Sequence, residues 1–150
     1  MPDDKAMLVR WFEEVWNQGR LETIEEMLAA DCIIHDGETA TKGPDGFKTF
    51  YHRLRTVFSE IRVTPHDGVA EGDMACLRWS VTMRHAGDGL GMPATGKLIR
   101  ATGISMVRFK DGRFAECWQN WDMLGAMEQI KAAERAAVYM GFQGAPPAGQ

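Results

Sequence analysis

Apolar residues recur at helical spacing along the front of the chain and at alternate positions along the back. Between residues 4 and 18, Leu8, Trp11, Phe12, Val15 and Trp16 form one broad stripe, which predicts an amphipathic helix. Asp3 or Asp4 can cap its start, and Gly19 suits the left-handed position just past its end. Leu21, Ile24, Met27 and Leu28 repeat the pattern in a short second helix. Residues 32–35 read as a brief strand and residues 36–42 as a polar loop. Pro44 suits the first turn of a third helix, whose apolar face is Phe47, Phe50, Tyr51, Leu54, Val57 and Phe58.

After Ser59 the period changes. Residues 61–70, 74–85, 97–109 and 113–122 alternate or run apolar as strands do, and Glu71-Gly72-Asp73 and Lys110-Asp111-Gly112 are tight-turn signals between antiparallel partners. Residues 86–96 carry four glycines and a proline, and read as a mobile lid. Residues 124–140 can form a closing helix, and 144–150 a flexible tail. Helices followed by a strand meander indicate an α+β fold, with helices packed on one face of a curved antiparallel or mixed sheet. No interdomain linker interrupts residues 1–143, so a single domain is expected.

Composition narrows the function classes. The chain has 150 residues, 45% of them hydrophobic, with five Trp and seven Phe to fill an interior. That is too apolar for intrinsic disorder, and charges interrupt every run long enough to span a bilayer. A net charge of −4 with scattered basic residues leaves no footprint for nucleic acid. Cys32, Cys76 and Cys117 cannot all pair within one chain, and none sits at metal-ligand spacing. Free thiols and the lack of a basic, then apolar, leader predict a cytoplasmic protein.

Glu116, Trp118, Asn120 and Asp122 share one strand face by period-2 alternation. If that face is concave, a carboxylate among aromatics there has the raised pKa that a general acid/base needs. The alternative is that Asp122 caps the helix that follows it. His35 and His85 each end an apolar strand, where each can point into a cavity or be a satisfied core histidine. Arg78 lies mid-strand beside Trp79; facing inward it needs a carboxylate or a ligand, and facing outward it needs neither. The histidines show no metal spacing, and no serine elbow, phosphate loop or dinucleotide glycine pattern occurs.

Several segments resemble SnoaL-like polyketide cyclases, a family within the nuclear-transport-factor-2-like superfamily. They are Trp11-Phe-Glu-Glu-Val-Trp16-Asn-Gln-Gly19, the strand end at His35, Gly43-Pro44-x-Gly-Phe47, Gly91-Met-Pro-Ala-Thr-Gly-Lys97, and Phe109-x-Asp-Gly-x-x-x-Glu116-x-Trp118-x-x-x-Asp122-x-x-Gly125. The likeness spans about residues 6–130. It implies a cone of three N-terminal helices on a strongly curved sheet, open at one end to an apolar pocket, and a homodimer formed through the sheet. It implies an aldol-type ring closure on an apolar, aromatic small molecule, without metal or organic cofactor, in which the carboxylate at Asp122 moves the proton. Some of these cyclases carry a histidine where this chain has Ser105, so His35 or His85 would partner Asp122 here.

On that reading Trp11, Phe12, Trp16, Phe47, Phe50, Trp79 and Trp118 are candidate pocket aromatics, and Arg78, Ser105, Glu116 and Asn120 candidate polar contacts. Sister activities fit less well. Epoxide opening needs an Arg-x-Asp pair that the chain lacks. Ketosteroid-isomerase chemistry needs a tyrosine donor, for which Tyr51 is the available residue. A catalytically silent binding protein of the same fold is the remaining alternative.

Overall fold

The structure, a computed structural model, describes residues 3–131. The far part of the expected closing helix and the expected tail lie outside the described residues. In chain order the elements are α1 (Asp4–Trp11), a π-helical segment (Phe12–Asn17), α2 (Glu22–Met27), β1 (Leu28–Asp36), β2 (Thr39–Lys42), α3 (Gly43–Val57), β3 (Phe58–Glu71), β4 (Met74–His85), β5 (Leu98–Lys110) and β6 (Arg113–Trp121). A further helical stretch, α4, occupies residues 123–131. The α+β class and the helical front are as the sequence indicates.

All six strands form one mixed sheet in the order β2-β1-β6-β5-β4-β3. Neighbours are antiparallel except β1 and β6, which run parallel. The hairpin turns take the residues their geometry demands: Gly72, Asp111 and Gly112 all have positive φ. Edge strand β3 slips register twice against β4, between Ser59 and Arg62 and between Pro65 and Gly68. Such bulges bend a strand and keep its open edge from pairing with another chain.

The front helix differs from expectation. Instead of one α-helix to Gln18, the chain widens to π geometry at Phe12. Trp11, Phe12, Val15 and Trp16 all turn inward, where each is buried. The free carbonyls at the segment's end are satisfied from α3: Tyr51 Oη donates to Val15 O at 3.3 Å and Arg55 Nη2 to Trp16 O at 2.8 Å. Asn17 then clamps the front onto the sheet, accepting from Val63 N–H at 2.7 Å and donating to Val63 O at 2.9 Å.

The region 36–42 is not a loop. Asp36 is the last residue of β1, Gly37 takes positive φ in the turn, and Thr39–Lys42 returns as the short edge strand β2. Cys32 and Cys117 are buried free thiols with sulfurs 3.7 Å apart, and Cys76 is a half-buried free thiol. No helix among the described residues is long and apolar enough to cross a membrane.

Candidate functional site

The inner face of the curved sheet and the front helices enclose a narrow aromatic throat. Trp79, Val81 and Met83 contribute alternate positions of β4, and Gln119 and Trp121 those of β6. Phe12, Trp16, Phe50 and Leu54 close it from the helical side. The enclosed space is small, about 40 Å³, within about 420 Å³ that includes its open side. Trp79 is held flat on the sheet: its indole N–H donates to Ser105 Oγ at 3.0 Å, and its ring lies over Gly103, directly across the β4–β5 pair. A second, inner void lies on the other side of Phe12, bordered by Trp11, Phe47, Ser105 and Phe114.

A wider mouth of about 1210 Å³, counting its solvent side, adjoins the throat. Phe50, Leu54 and Gln119 line both spaces. The mouth adds the polar side chains Asp36, Thr39, Thr41 and Arg53 to apolar walls from Ile34, Val57 and Leu90. Asp36 is half-buried, and burial pushes its carboxyl above the usual carboxylate range. It faces Gln119 across the parallel β1–β6 pair. Asp36, Arg53, Gln119 and Trp121 were not among the residues the sequence singled out.

The loop expected to be a mobile lid is stitched to the end of α3. Ala86 and Gly87 both donate N–H to Val57 O, and a Cβ at Gly87 would fall 1.7 Å from Thr56 O. Leu90 and Met92 pack on the core.

The structure places Trp16, Phe50 and Trp79 in the throat as expected of pocket aromatics, with Phe12 between throat and inner void. Trp11 and Phe47 sit deeper, edge to face at 5.0 Å. Others fall on the opposite side of the sheet, contrary to expectation. His35 stacks on Trp118 with centroids 5.5 Å apart, and its Nε2 lies 2.8 Å from Glu116 Oε2. Arg108 covers the other part of this cluster, with its guanidinium 5.5 Å from the Trp118 ring and 3.2 Å from Glu116. Asn120 is exposed. Arg78 points outward too, pairing with Asp67 at 2.8 Å, so it is not available to anchor a carbonyl inside. His85 does face inward and is fully buried, accepting Thr95 N–H on Nδ1 at 3.3 Å. Ser105 is buried as the acceptor for Trp79.

A change of strand parity explains the outward turn of Glu116, Trp118 and Asn120. Ala115 is an extra residue in β6, because Phe109 pairs with Phe114 while Arg108 pairs with Glu116. Phe114 faces the core, and without the bulge Glu116, Trp118 and Asn120 would face it too. With the bulge, Cys117, Gln119 and Trp121 take the inner face.

Residues 6–130 match the sequence model of SnoaL-like polyketide cyclases. The chain belongs to that family. Among relatives of this SnoaL-like chain is the aklanonic acid methyl ester cyclase DauD of Streptomyces sp. strain C5. It is 28% identical over 130 residues, covering 82% of this chain and 79% of the relative. The aklanonic acid methyl ester cyclase DnrD of Streptomyces peucetius is 27% identical over 130 residues, covering 82% and 88%. Wild-type IdmH from Streptomyces antibioticus superposes with a TM-score of 0.75 at 26% identity, covering 86% of this chain and 99% of that one.

In this SnoaL-like chain Asp122 is exposed, and its Oδ1 accepts Gly125 N–H at 2.8 Å at the start of α4. Gly125 leaves room for this cap, since a Cβ would lie 2.2 Å from Asp122 Oδ2 and the carboxylate would have to swing away. Asp122→Ala is therefore expected to cost about 0.5–2 kcal/mol of stability, and Asp122→Asn, which keeps a capping oxygen, far less. Equal losses for the two variants in urea denaturation would show that the cap contributes nothing.

Proposed function

We propose that this SnoaL-like chain closes a ring on an apolar, fused-ring polyketide by acid/base chemistry carried by side chains alone. The observation that supports this best is an aromatic throat beside a mouth lined by a half-buried carboxylate. The throat offers Trp and Phe faces to a flat apolar ligand, and the mouth offers polar groups to its carbonyl end. Carbon flanked by carbonyls is already acidified, so one carboxylate suffices to move its proton. The ketosteroid-isomerase alternative loses its donor, because the Tyr51 hydroxyl is buried on Val15 O. The buried free thiols fit a reducing, cytoplasmic compartment.

The substrate of the named relatives, aklanonic acid methyl ester, is the first to try. Aldol closure neither adds nor removes atoms, so the product is an isomer, separable by chromatography at unchanged mass. Saturable quenching of tryptophan fluorescence reports binding without turnover. Quenching with no isomer formed would favour the silent binding protein; no quenching by any flat polycyclic ligand would end the proposal.

We further propose a homodimer through the outer face of the sheet. Ile104 and Met106 on β5 are exposed there beside Trp118, an apolar strip that pairing would cover. Ile104→Glu is expected to halve the mass seen by light scattering, and a wild-type chain that scatters as a monomer at micromolar concentration overturns the dimer.

A further inference from the structure

We propose that Cys32 and Cys117 are a dithiol–disulfide couple: an oxidant closes a bond between their sulfurs that clasps β1 to β6, and a reductant opens it. Such a clasp works equally in a cyclase and in a silent binding protein.

The two sulfurs lie 3.7 Å apart, although the residues are 85 positions apart along the chain. β1 and β6 run parallel, with Ile34 opposite Cys117. Alternation along β1 puts Cys32 on the same inner face as Ile34, so the two thiols are diagonal neighbours on adjacent strands. Sulfurs in a disulfide are about 2.05 Å apart, so these two must close by about 1.7 Å. The slack for that movement is at Cys32. The register of β1 against β6 shifts between Leu28 and Ile33, and residues 29–32 have no partner on β6. Ala30 and Asp31, just before Cys32, are exposed. A stretch outside the ladder shifts and opens at lower cost than the strand on either side of it. Cys117, in contrast, is held in the ladder and borders the inner void, where a small oxidant has room beside the pair. Cys76 lies on β4, which β5 separates from β6.

The pair is also differentiated chemically. With Cys32 ionised, the Cys117 S–H donates to its sulfur, and this holds the Cys32 thiol below its usual range against burial and the nearby carboxylates of Asp31 and Glu116. The same contact, together with burial, pushes the Cys117 thiol up. One thiolate beside one thiol is what oxidation by a peroxide requires. The Cys32 thiolate attacks one oxygen of hydrogen peroxide, the O–O bond breaks, and a sulfenic acid and hydroxide form. That hydroxide takes up the proton that Cys32 had released. The Cys117 sulfur then attacks the Cys32 sulfur, the S–O bond breaks, and the departing hydroxide leaves as water with the Cys117 proton. Two thiols are oxidised and one peroxide is reduced to two waters.

A bond across so long a stretch of chain removes freedom from the unfolded state. It also fixes the seam of the site, since β1 brings Ile34 and Asp36 to the mouth and β6 brings Gln119. In a reducing compartment the clasp stays open, and an oxidative challenge closes it.

The test exposes the full folded chain to hydrogen peroxide, alkylates the remaining thiols and maps the peptides by mass spectrometry. A Cys32–Cys117 peptide pair, lighter by two hydrogens than its reduced halves and released by dithiothreitol, is expected, with Cys76 outside the bridge. The melting temperature should rise by at least about 5 °C on bridging and fall back on reduction. Cys76→Ser should keep both responses, and Cys117→Ser and Cys32→Ala should lose both. Where a core variant does not fold, the peptide map and melting shift of the wild-type and Cys76→Ser chains decide. Cys32 and Cys117 both still open to alkylation once the treated chain is unfolded overturns the proposal. A bridge through Cys76, a bridge that forms only in urea, or a bridged chain that melts no higher than the reduced one overturns it as well.

Discussion

Phe12→Ala is expected to destabilise the protein by about 3–5 kcal/mol, the range for truncating a buried aromatic, and to join two cavities that the native ring keeps apart. Phe12 is 2% exposed and borders both the throat and the inner void. It packs against Trp79 at 5.7 Å between centroids. The walls on either side are strands and helices that cannot collapse freely into the gap, so the transfer loss and the cavity term add. Benzene or indole should raise the melting temperature of the variant and not of the wild type, because a ligand bound only to the native state stabilises by mass action. A variant that melts within a degree or two of wild type would mean that the ring is not wedged between the two spaces.

Gly103→Ala is the second large effect. A Cβ there would lie 2.3 Å from Trp79 Cζ2 and 2.5 Å from Cη2, contacts that a rigid ring cannot relieve by rotating its tip. The indole must lift off the sheet, break its hydrogen bond to Ser105 and enter the throat. Overpacking of this kind costs about 1–3 kcal/mol, and ligand quenching should fall with it because the throat narrows. In a Trp79→Phe background the clashing six-membered ring edge is gone. The same Gly103→Ala change should then cost much less, a non-additivity expected only of groups in contact. Equal penalties in both backgrounds would place the strain elsewhere.

Much of this architecture could be read from residue order. Period-2 alternation on β4 correctly sends Trp79, Val81 and Met83 inward, and the glycines at Gly72 and Gly112 mark the hairpins where they occur. Reading failed where one residue changes parity. Ala115 reverses every side chain after it, and nothing in the string Phe114-Ala115-Glu116 announces a bulge, which exists only against the partner strand. Asp36 was hidden for a related reason. Its neighbours toward Lys42 are polar and short, as a loop would be, yet they form a hairpin whose inner position is defined by pairing with a strand some eighty residues later. Tyr51 and Asn17 carry no signal either, because the backbone groups they satisfy, on Val15 and Val63, lie 36 and 46 residues away along the chain and meet them only in the fold.

The parallel pairing of β1 with β6 also sets the order in which the molecule can become active. β3, β4, β5 and β6 join sequential neighbours through short turns or the 86–97 connection, contacts that form with little loss of chain entropy. The β1–β6 ladder instead brings His35 beside Trp118 and Asp36 beside Gln119, closing a loop of most of the domain. Contacts of such sequence separation are the slow ones. The mouth is therefore assembled only after the meander is complete: a ribosome-bound chain that has not yet released β6 carries Asp36 on a strand paired with β2 alone. Refolding followed by tryptophan fluorescence should show native-like signal from the Trp79 side before ligand binding is regained.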